Sequence, residues 1–229
     1  MVKGVSRQQP ETDLRAARRA DTEERLLTAA EELFVRDGYT GTTLAAVAAR
    51  AGVSARTVYV RFGTKAALLK RLIDVTIGGD TQDLDVTERA WFQTALTAPT
   101  LPERIAAIAT GGRQLMERTA DVMAVAQQAE PMEPLIAAAA QAGREATRDG
   151  IRHLCQRAAD DGLLPAGTDV TWLGDTLGLL AGPDAYQLIV RTHGWDPDAY
   201  QAWYEETWTR LTRAAMPGAG SPNDETAGT

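Results

Sequence analysis

The chain has 229 residues, of which 44% are hydrophobic and 24% are charged, a composition typical of a globular protein that can bury a core. No run of about 18 apolar residues is present to predict a membrane span, and the N-terminus lacks the apolar segment of a secretory signal. The single cysteine, Cys155, excludes an intramolecular disulfide, so we expect a cytoplasmic protein that contacts no membrane.

The formal net charge of −7 is divided unevenly, with +5 over residues 1–72 and −12 over residues 73–229. Residues 38–72 contain six lysines and arginines and no acid. A local excess of cations suits a phosphate backbone, although charge asymmetry also occurs on solvated faces that bind nothing. The charge pattern therefore predicts a nucleic-acid contact in the N-terminal third and a separate acidic body.

The first predicted elements are a polar arm and one helix. The polar composition of residues 1–20 predicts a disordered arm. This arm either reaches DNA through its arginines or is an inert solvated tail. The helix that follows has Thr22 as its cap, runs to Asp37 with one apolar stripe, and ends at Gly38.

Residues 42–65, with the sequence TTLAAVAARAGVSARTVYVRFGTK, predict two short helices around a tight turn. The first helix has apolar residues at i, i+3, i+4 and i+7, and Gly52 ends it in the left-handed conformation. Ser54 is a natural N-cap for the second helix, which offers a buried face around Val58 and an outer face around Arg56. This arrangement is the layout of a helix-turn-helix, which places its second helix in the major groove of DNA.

The segment resembles the TetR family of transcriptional repressors over about residues 22–72. The residues that carry the resemblance are Tyr39, Thr42, Thr43, Ala51, Gly52, Val53, Ser54, Thr57, Val58, Tyr59, Phe62, Thr64 and Lys65. The chain departs from the family pattern at Arg56, Val60 and Arg61, which bears on the operator sequence rather than on DNA binding itself. The resemblance implies dimerisation through C-terminal helices and a pocket for a small apolar ligand.

The outer face of the second helix supplies candidate base contacts. Arg56 can form two hydrogen bonds with guanine, and Ala55 and Val60 can touch a thymine methyl group. Hydroxyls and a cation at helix ends are candidates for phosphate contacts, as the resemblance also implies. The alternative is that Thr43, Ser54 and Thr64 act as N-caps and nothing more, although capping does not exclude a phosphate contact. The predicted DNA-binding residues are Thr42, Thr43, Ser54, Ala55, Arg56, Thr57, Tyr59, Val60, Arg61 and Lys65.

The rest of the chain predicts an all-α body. A fourth helix starts at Thr64 and ends at the glycines 78–79, and a loop then extends to Asp85. Pro183 is expected to break the fifth body helix. The body helices are predicted near residues 86–97, 102–118, 120–130, 134–160, 168–192 and 197–214.

The predicted fold is therefore all-α, with an N-terminal three-helix DNA-binding head and a C-terminal helical body. The predicted parts are a disordered arm (1–20), a DNA-binding domain (21–72, with its motif at about 42–62), a regulatory and dimerisation domain (73–216), and a disordered tail (217–229).

An aromatic stripe in the last predicted helices is the candidate dimer interface. Aromatic residues are enriched at interface centres, but the same stripe can equally pack the core of a monomer. The family resemblance favours the interface. The residues assigned to it are Tyr186, Tyr200, Trp203, Tyr204, Trp208 and Leu211.

The middle helices contain Trp, Met and a few polar residues that can line an apolar ligand cavity. Ordinary core packing explains each of these residues more simply, so the pocket follows from the family resemblance. Asp175 lies in an otherwise apolar helix and is either exposed or partnered. The candidates are Trp91, Met116, Met123, Gln127, Trp172, Asp175 and Thr176.

No residue pattern supports catalysis, a metal site or a cofactor. His153 and Cys155 are two residues apart on a helix and cannot share a face, and no phosphate-binding loop is present. We therefore expect a transcriptional regulator rather than an enzyme, a repressor that a small apolar ligand releases from a palindromic double-stranded DNA operator. The alternative is a DNA-binding protein that is controlled by a partner protein or is architectural, without a small-molecule inducer.

Overall fold

The computed structural model describes residues 9–79 and 86–214, and over these residues the chain is helical without strands, as the sequence predicts. None of the helices in this part is long and apolar enough to cross a membrane. A 3₁₀ turn lies at Val86–Glu88 and a π-helical segment at Gln187–Thr192. The α-helices are α1 (Gln9–Gly41), α2 (Leu44–Ala51), α3 (Ala55–Phe62), α4 (Lys65–Gly78), α5 (Ala90–Thr97), α6 (Leu101–Ala129), α7 (Pro134–Asp160), α8 (Val170–Leu180), α9 (Pro183–Tyr186) and α10 (Pro197–Ala214).

Helix α1 begins well before the predicted position. It starts at Gln9, whereas the sequence analysis expects a disordered arm up to residue 20. The Ala, Leu and Arg residues within 9–20 have high helix propensity and extend a helix that packing already anchors. Thr22 lies inside the helix and donates its hydroxyl to the Arg18 carbonyl at 2.8 Å instead of capping. The expectations for residues 1–8, for residues 80–85 and for the tail fall outside the described residues.

Gly38 interrupts α1 with φ 72° and ψ 175°, and the helix then resumes to Gly41. The predicted terminator is therefore a kink, and it precedes the buried Tyr39. The Tyr39 N–H donates to Gln128 Oε1 at 3.1 Å, and the Tyr39 hydroxyl donates to Glu133 Oε1 at 2.7 Å. Burial, followed by the hydrogen bond to Glu133, raises the pKa of Tyr39, so the hydroxyl keeps the proton that it donates.

Two predicted body helices form the single helix α6. It continues through the predicted gap at residue 119, because neither proline nor glycine stands there to end it. The break expected at Pro183 is confirmed, since α8 ends at Leu180 and Pro183 is the first residue of α9.

The chain divides into two compact units. The first consists of Met1–Leu72 with Val125–Ile136, and the second of Ile73–Ala124 with Ala137–Thr229. The sequence analysis placed all of residues 73–216 in the body, so the membership of the end of α6 in the first unit was not predicted. Side chains buried in the first unit include Leu26, Phe34, Val47, Val58, Leu68 and Leu69.

The second unit contains two groups of buried residues. The smaller core contains Met116, Ala120, Tyr186 and Tyr200. The larger core draws on α5, α6, α7, α8 and α10, and consists of Phe92, Ala95, Ile105, Ile108, Ala109, Ile151, Leu154, Cys155, Leu173, Leu177, Tyr204 and Trp208.

Candidate nucleic-acid interface

The two helices of the predicted motif are capped as the sequence indicates. Thr43 begins α2 by accepting a hydrogen bond from the Ala46 N–H at 3.1 Å. Gly52 ends α2 with φ 68°, and Ser54 begins α3 by accepting from the Thr57 N–H at 3.1 Å. These local contacts determine the turn between the helices, because the caps satisfy backbone groups that have no partner within the helices.

Arg25 of α1 holds the same turn, which the sequence analysis missed. Its Nη2 donates to the Ala51 carbonyl at 2.5 Å, at the C-terminal end of α2. A cation there complements the partial negative charge of the helix end and satisfies one of its free carbonyls. No local pattern indicates this contact, because the two partners are 26 residues apart.

The outer face of α3 is exposed. Val58 is fully buried on the opposite face, whereas Ala55 and Arg56 are exposed, Tyr59 is 55% exposed and Val60 is 77% exposed. An arginine fork beside exposed apolar and aromatic side chains suits the edges of base pairs, which present acceptors and thymine methyl groups.

Two residues predicted to contact phosphate point into the protein. Thr42 is 1% exposed, and its hydroxyl lies 3.1 Å and 2.9 Å from the carbonyl oxygens of Leu33 and Gly38, to which it donates. The Lys65 ammonium donates to the carbonyl oxygens of Tyr39 and Thr42 at 2.6 Å and 2.9 Å and lies over the Tyr39 ring. Burial lowers the pKa of Lys65. Both side chains thus hold the connection between α1 and α2 rather than extend toward solvent.

Arg61 also turns away from the outer face. At 100° per residue it falls on the flank of α3 that Thr57 shares, between the exposed and the buried faces. Its guanidinium forms an ion pair with Glu23 of α1, and Arg71 of α4 binds the other oxygen of that carboxylate at 2.7 Å. In this structure Arg61 therefore makes a contact within the domain, and its predicted contact with DNA stays a prediction.

Carboxylates of α1 thus pair with arginines of residues 38–72, a segment that contains no acidic residue. Besides the pairs of Glu23, Arg50 in the last turn of α2 binds Glu32 at 2.6 Å. Arg56 takes part in none of these pairs and stands exposed in the first turn of α3. The positive field expected over residues 38–72 is reduced by α1, and Arg56 is the arginine best placed to read a base.

The residues predicted to form a dimer interface lie mostly in the cores of the second unit. Four aromatics among them are buried, and a side chain covered by its own chain has little surface left for a partner. They pack against one another in stacked and edge-to-face pairs. Tyr186, Tyr200, Tyr204 and Trp208 are 2–4% exposed, while Trp203 and Leu211 are half-buried against the same cores.

The predicted pocket residues are not gathered into one cavity. Trp91 and Trp172 pack against the larger core of the second unit, whereas Met116 belongs to the smaller core. Met123 and Thr176 are half-buried. Core packing, the simpler of the two explanations, accounts for Trp91, Trp172 and Met116.

The two polar candidates for the pocket have other surroundings. Gln127 is exposed and belongs to the first unit. Asp175 is partnered, because Arg152 donates to its two oxygens at 2.5 Å and 2.7 Å. A cleft of about 280 Å³ beside this pair is open to solvent and contains none of the predicted residues. Among the described residues, no group of three or more His, Cys, Asp or Glu is placed to hold a metal ion.

Two polar groups in the larger core have no hydrogen-bond partner besides each other, and their mutual contact does not have ordinary hydrogen-bond geometry. They are the hydroxyl of Tyr204 and the indole N–H of Trp208, whose rings lie 6.2 Å apart in an edge-to-face pair. Burial raises the pKa of Tyr204, so its hydroxyl stays protonated. A buried polar group without a partner costs about 1–3 kcal/mol, which a ligand atom that bonded to it would recover.

The fold and the exposed face of α3 define a helix-turn-helix protein of the kind that binds DNA. Residues 26–72 match the sequence model of the family described as bacterial regulatory proteins, tetR family. The resemblance drawn from the sequence is thereby confirmed for residues 26–72, the segment that the family model matches. No curated protein sequence matches the chain.

Solved structures of regulators share this fold over most of their length. A complex of SmeT with triclosan has a TM-score of 0.65 and 22% identity, covering 88% of this chain and 98% of SmeT. MexZ, a repressor from Pseudomonas aeruginosa, has a TM-score of 0.59 and 23% identity, covering 88% and 96%. A TetR transcription regulator from Haloarcula marismortui has a TM-score of 0.64 and 14% identity, covering 86% and 98%.

Proposed function

We propose that this protein is a homodimeric transcriptional repressor that binds a palindromic operator through α3 and leaves it when a small apolar ligand binds the second unit. The exposed face formed by Arg56, Tyr59 and Val60 carries the DNA-binding part of the proposal. The fold shared with MexZ, which is described as a repressor, supports the sign of regulation.

Selection of bound duplexes from a random library tests DNA binding. We expect a palindrome whose half-sites lie about 34–36 Å apart, because each recognition helix of the dimer enters one major groove. Arg56→Ala is expected to cost about 1–3 kcal/mol of binding free energy and to relax the preference at one base of each half-site. Arg210→Ala, on the exposed face of α10, is the matched control and is expected to change neither the binding free energy nor the base preference. An Arg56→Ala protein with the same site and affinity as the wild type would contradict the assignment.

The ligand part of the proposal is supported by the buried hydroxyl of Tyr204 and the indole N–H of Trp208, which have no partner of ordinary geometry. They lie among apolar and aromatic side chains, so the matching ligand is aromatic and carries an oxygen that can accept a hydrogen bond. Triclosan, which SmeT binds in its structure, is a compound of this kind.

Triclosan is therefore the first probe. We expect it to weaken operator binding about 5- to 150-fold, the range that a coupling energy of about 1–3 kcal/mol produces. Tyr204→Phe is expected to weaken triclosan binding measured by calorimetry, whereas Tyr186→Phe in the smaller core is expected to leave it unchanged. If neither triclosan nor a panel of aromatic ligands changes DNA affinity, control by a partner protein or an architectural role becomes the better explanation.

A further inference from the structure

One carboxylate of α1 holds two arginines that belong to other helices of the DNA-binding domain. Glu23 pairs through one oxygen with Arg61 of α3 and through the other with Arg71 of α4. Burial first, and then the positive charges of Arg71 and Arg19, lower the pKa of Arg61. Two arginines thus pair with a single acid, whose side chain is 18% exposed.

Arg61 lies where DNA phosphates would come close to α3. The major groove is about 12 Å wide and a helix with its side chains about 10–12 Å, so the flanks of an inserted helix face the phosphates on the groove walls. Arg61 occupies such a flank, and its side chain is 30% exposed, while that of Arg71 is 50% exposed. A phosphate that reached either guanidinium would have to displace the Glu23 carboxylate.

We propose that Glu23 competes with DNA phosphates for Arg61 and Arg71 and thereby limits the affinity of this domain for DNA of any sequence. The inference rests on the proposed DNA binding. Phosphate contacts carry no sequence information, so withholding two cations lowers the affinity for all duplexes by the same factor. Arg56 takes no part in the Glu23 pairs, so base reading is left intact.

The test compares Glu23→Gln with Glu24→Gln. Both variants remove one negative charge from adjacent positions of α1, but Glu24 is exposed and lines an open cleft between α1 and α2. Fluorescence anisotropy measures the affinity for the selected operator duplex and for a scrambled duplex at several salt concentrations. Glu23→Gln is expected to raise the affinity for both duplexes by the same factor. It should steepen the salt dependence by about one unit for each arginine that gains a phosphate. Glu24→Gln is expected to leave the slope unchanged.

The outcomes separate this inference from the proposed function. A wild-type protein that binds neither duplex would refute the proposed function. If the wild type binds the operator but Glu23→Gln has the same salt slope as the wild type or as Glu24→Gln, the proposed role of Glu23 is overturned. The proposed function is not affected by that result. A gain confined to the operator duplex would also overturn it, because phosphate contacts do not distinguish sequences.

Arg61→Gln supplies a second measurement that does not depend on the folding of Glu23→Gln, which also loses a tie between three helices. Since Glu23 holds Arg61 in the wild type, Arg61→Gln is expected to leave the salt slope unchanged. A slope that falls by about one unit would show that Arg61 already contacts a phosphate, and the proposal would fail. The thermal midpoint of each variant identifies losses that come from unfolding.

Discussion

At the scale of single residues, Cys155 shows how burial sets chemical behaviour. Its thiol lies in the larger core of the second unit, 1% exposed, and burial raises its pKa to about 12. Because the thiolate is the reactive form, we expect iodoacetamide to leave the folded protein unmodified at about pH 8 and to modify it once after unfolding in guanidinium chloride. Mass spectrometry of the intact chain measures this directly, since there is one cysteine. Rapid modification of the native protein would show that the core opens readily.

The same thiol makes stability depend on pH. The pKa of a cysteine in an unfolded chain is about 8.5, so below that pH the contribution of protonated Cys155 to the stability of the folded state is fully present. This contribution is lost as the pH rises toward 12, because only the unfolded chain then releases its proton easily. We expect the difference in unfolding free energy between the wild type and Cys155→Ala, measured in urea, to shrink over this interval. The tyrosines titrate alike in both proteins, so a difference that is constant with pH would contradict the assignment.

At the scale of elements, Gly52 determines where α2 ends and α3 begins. Its φ of 68° is unfavourable for a residue with a Cβ atom, and an added Cβ would lie 3.1 Å from Nη2 of Arg25. We expect Gly52→Ala to lower the free energy of unfolding by about 1–2 kcal/mol, the cost of the left-handed conformation. DNA affinity is expected to fall as well, because the substitution disturbs the turn that orients α3.

Gly112→Ala in α6 is the matched control for this element. An added Cβ there has nothing within 4 Å, and the position is helical. This substitution is expected to raise the free energy of unfolding by about 0.5–1 kcal/mol, since alanine loses less backbone entropy than glycine in a helix. Chemical denaturation compares the two variants, and changes of the same sign would be inconsistent with the conformational argument.

At the scale of the whole molecule, the proposed dimer requires a surface other than the buried aromatics. Exposed apolar side chains within residues 168–214 include Leu179 at 79%, Leu188 at 52% and Trp195 at 43%. We expect Leu179→Asp to raise the dimer dissociation constant about a hundredfold or more. Burying one leucine contributes about 1.5–3 kcal/mol, and a two-fold interface contains it twice.

Sedimentation velocity measures this change. Val35→Asp is the control, because Val35 is also an exposed apolar residue, 46% exposed, but lies in α1. It is expected to leave the dimer intact. A monomeric wild type, or a Leu179→Asp protein that dimerises as before, would exclude this surface.

The sequence by itself determined the features that depend on neighbours along the chain. The caps at Thr43 and Ser54, the left-handed Gly52 and the break at Pro183 follow from the conformational preferences of those residues. The 3.6-residue period likewise separates the buried Val58 from the exposed Arg56 and gives the all-α class. These features act within about one helical turn, so a single sequence contains the information.

The tertiary structure decided which side chains are exposed and unpaired, and so are available to contact DNA or a partner chain. Arg61 has the chemistry of a phosphate ligand, but it is occupied by Glu23, which lies 38 residues earlier in the chain. Tyr204 and Trp208 have the composition of an interface, but they fill the core of their own unit. Periodicity shows that a helix has an apolar or charged face without showing what covers it. Partners that are distant along the chain meet only when the helices pack, so the pairing of charges and the choice between core and interface depend on the folded molecule.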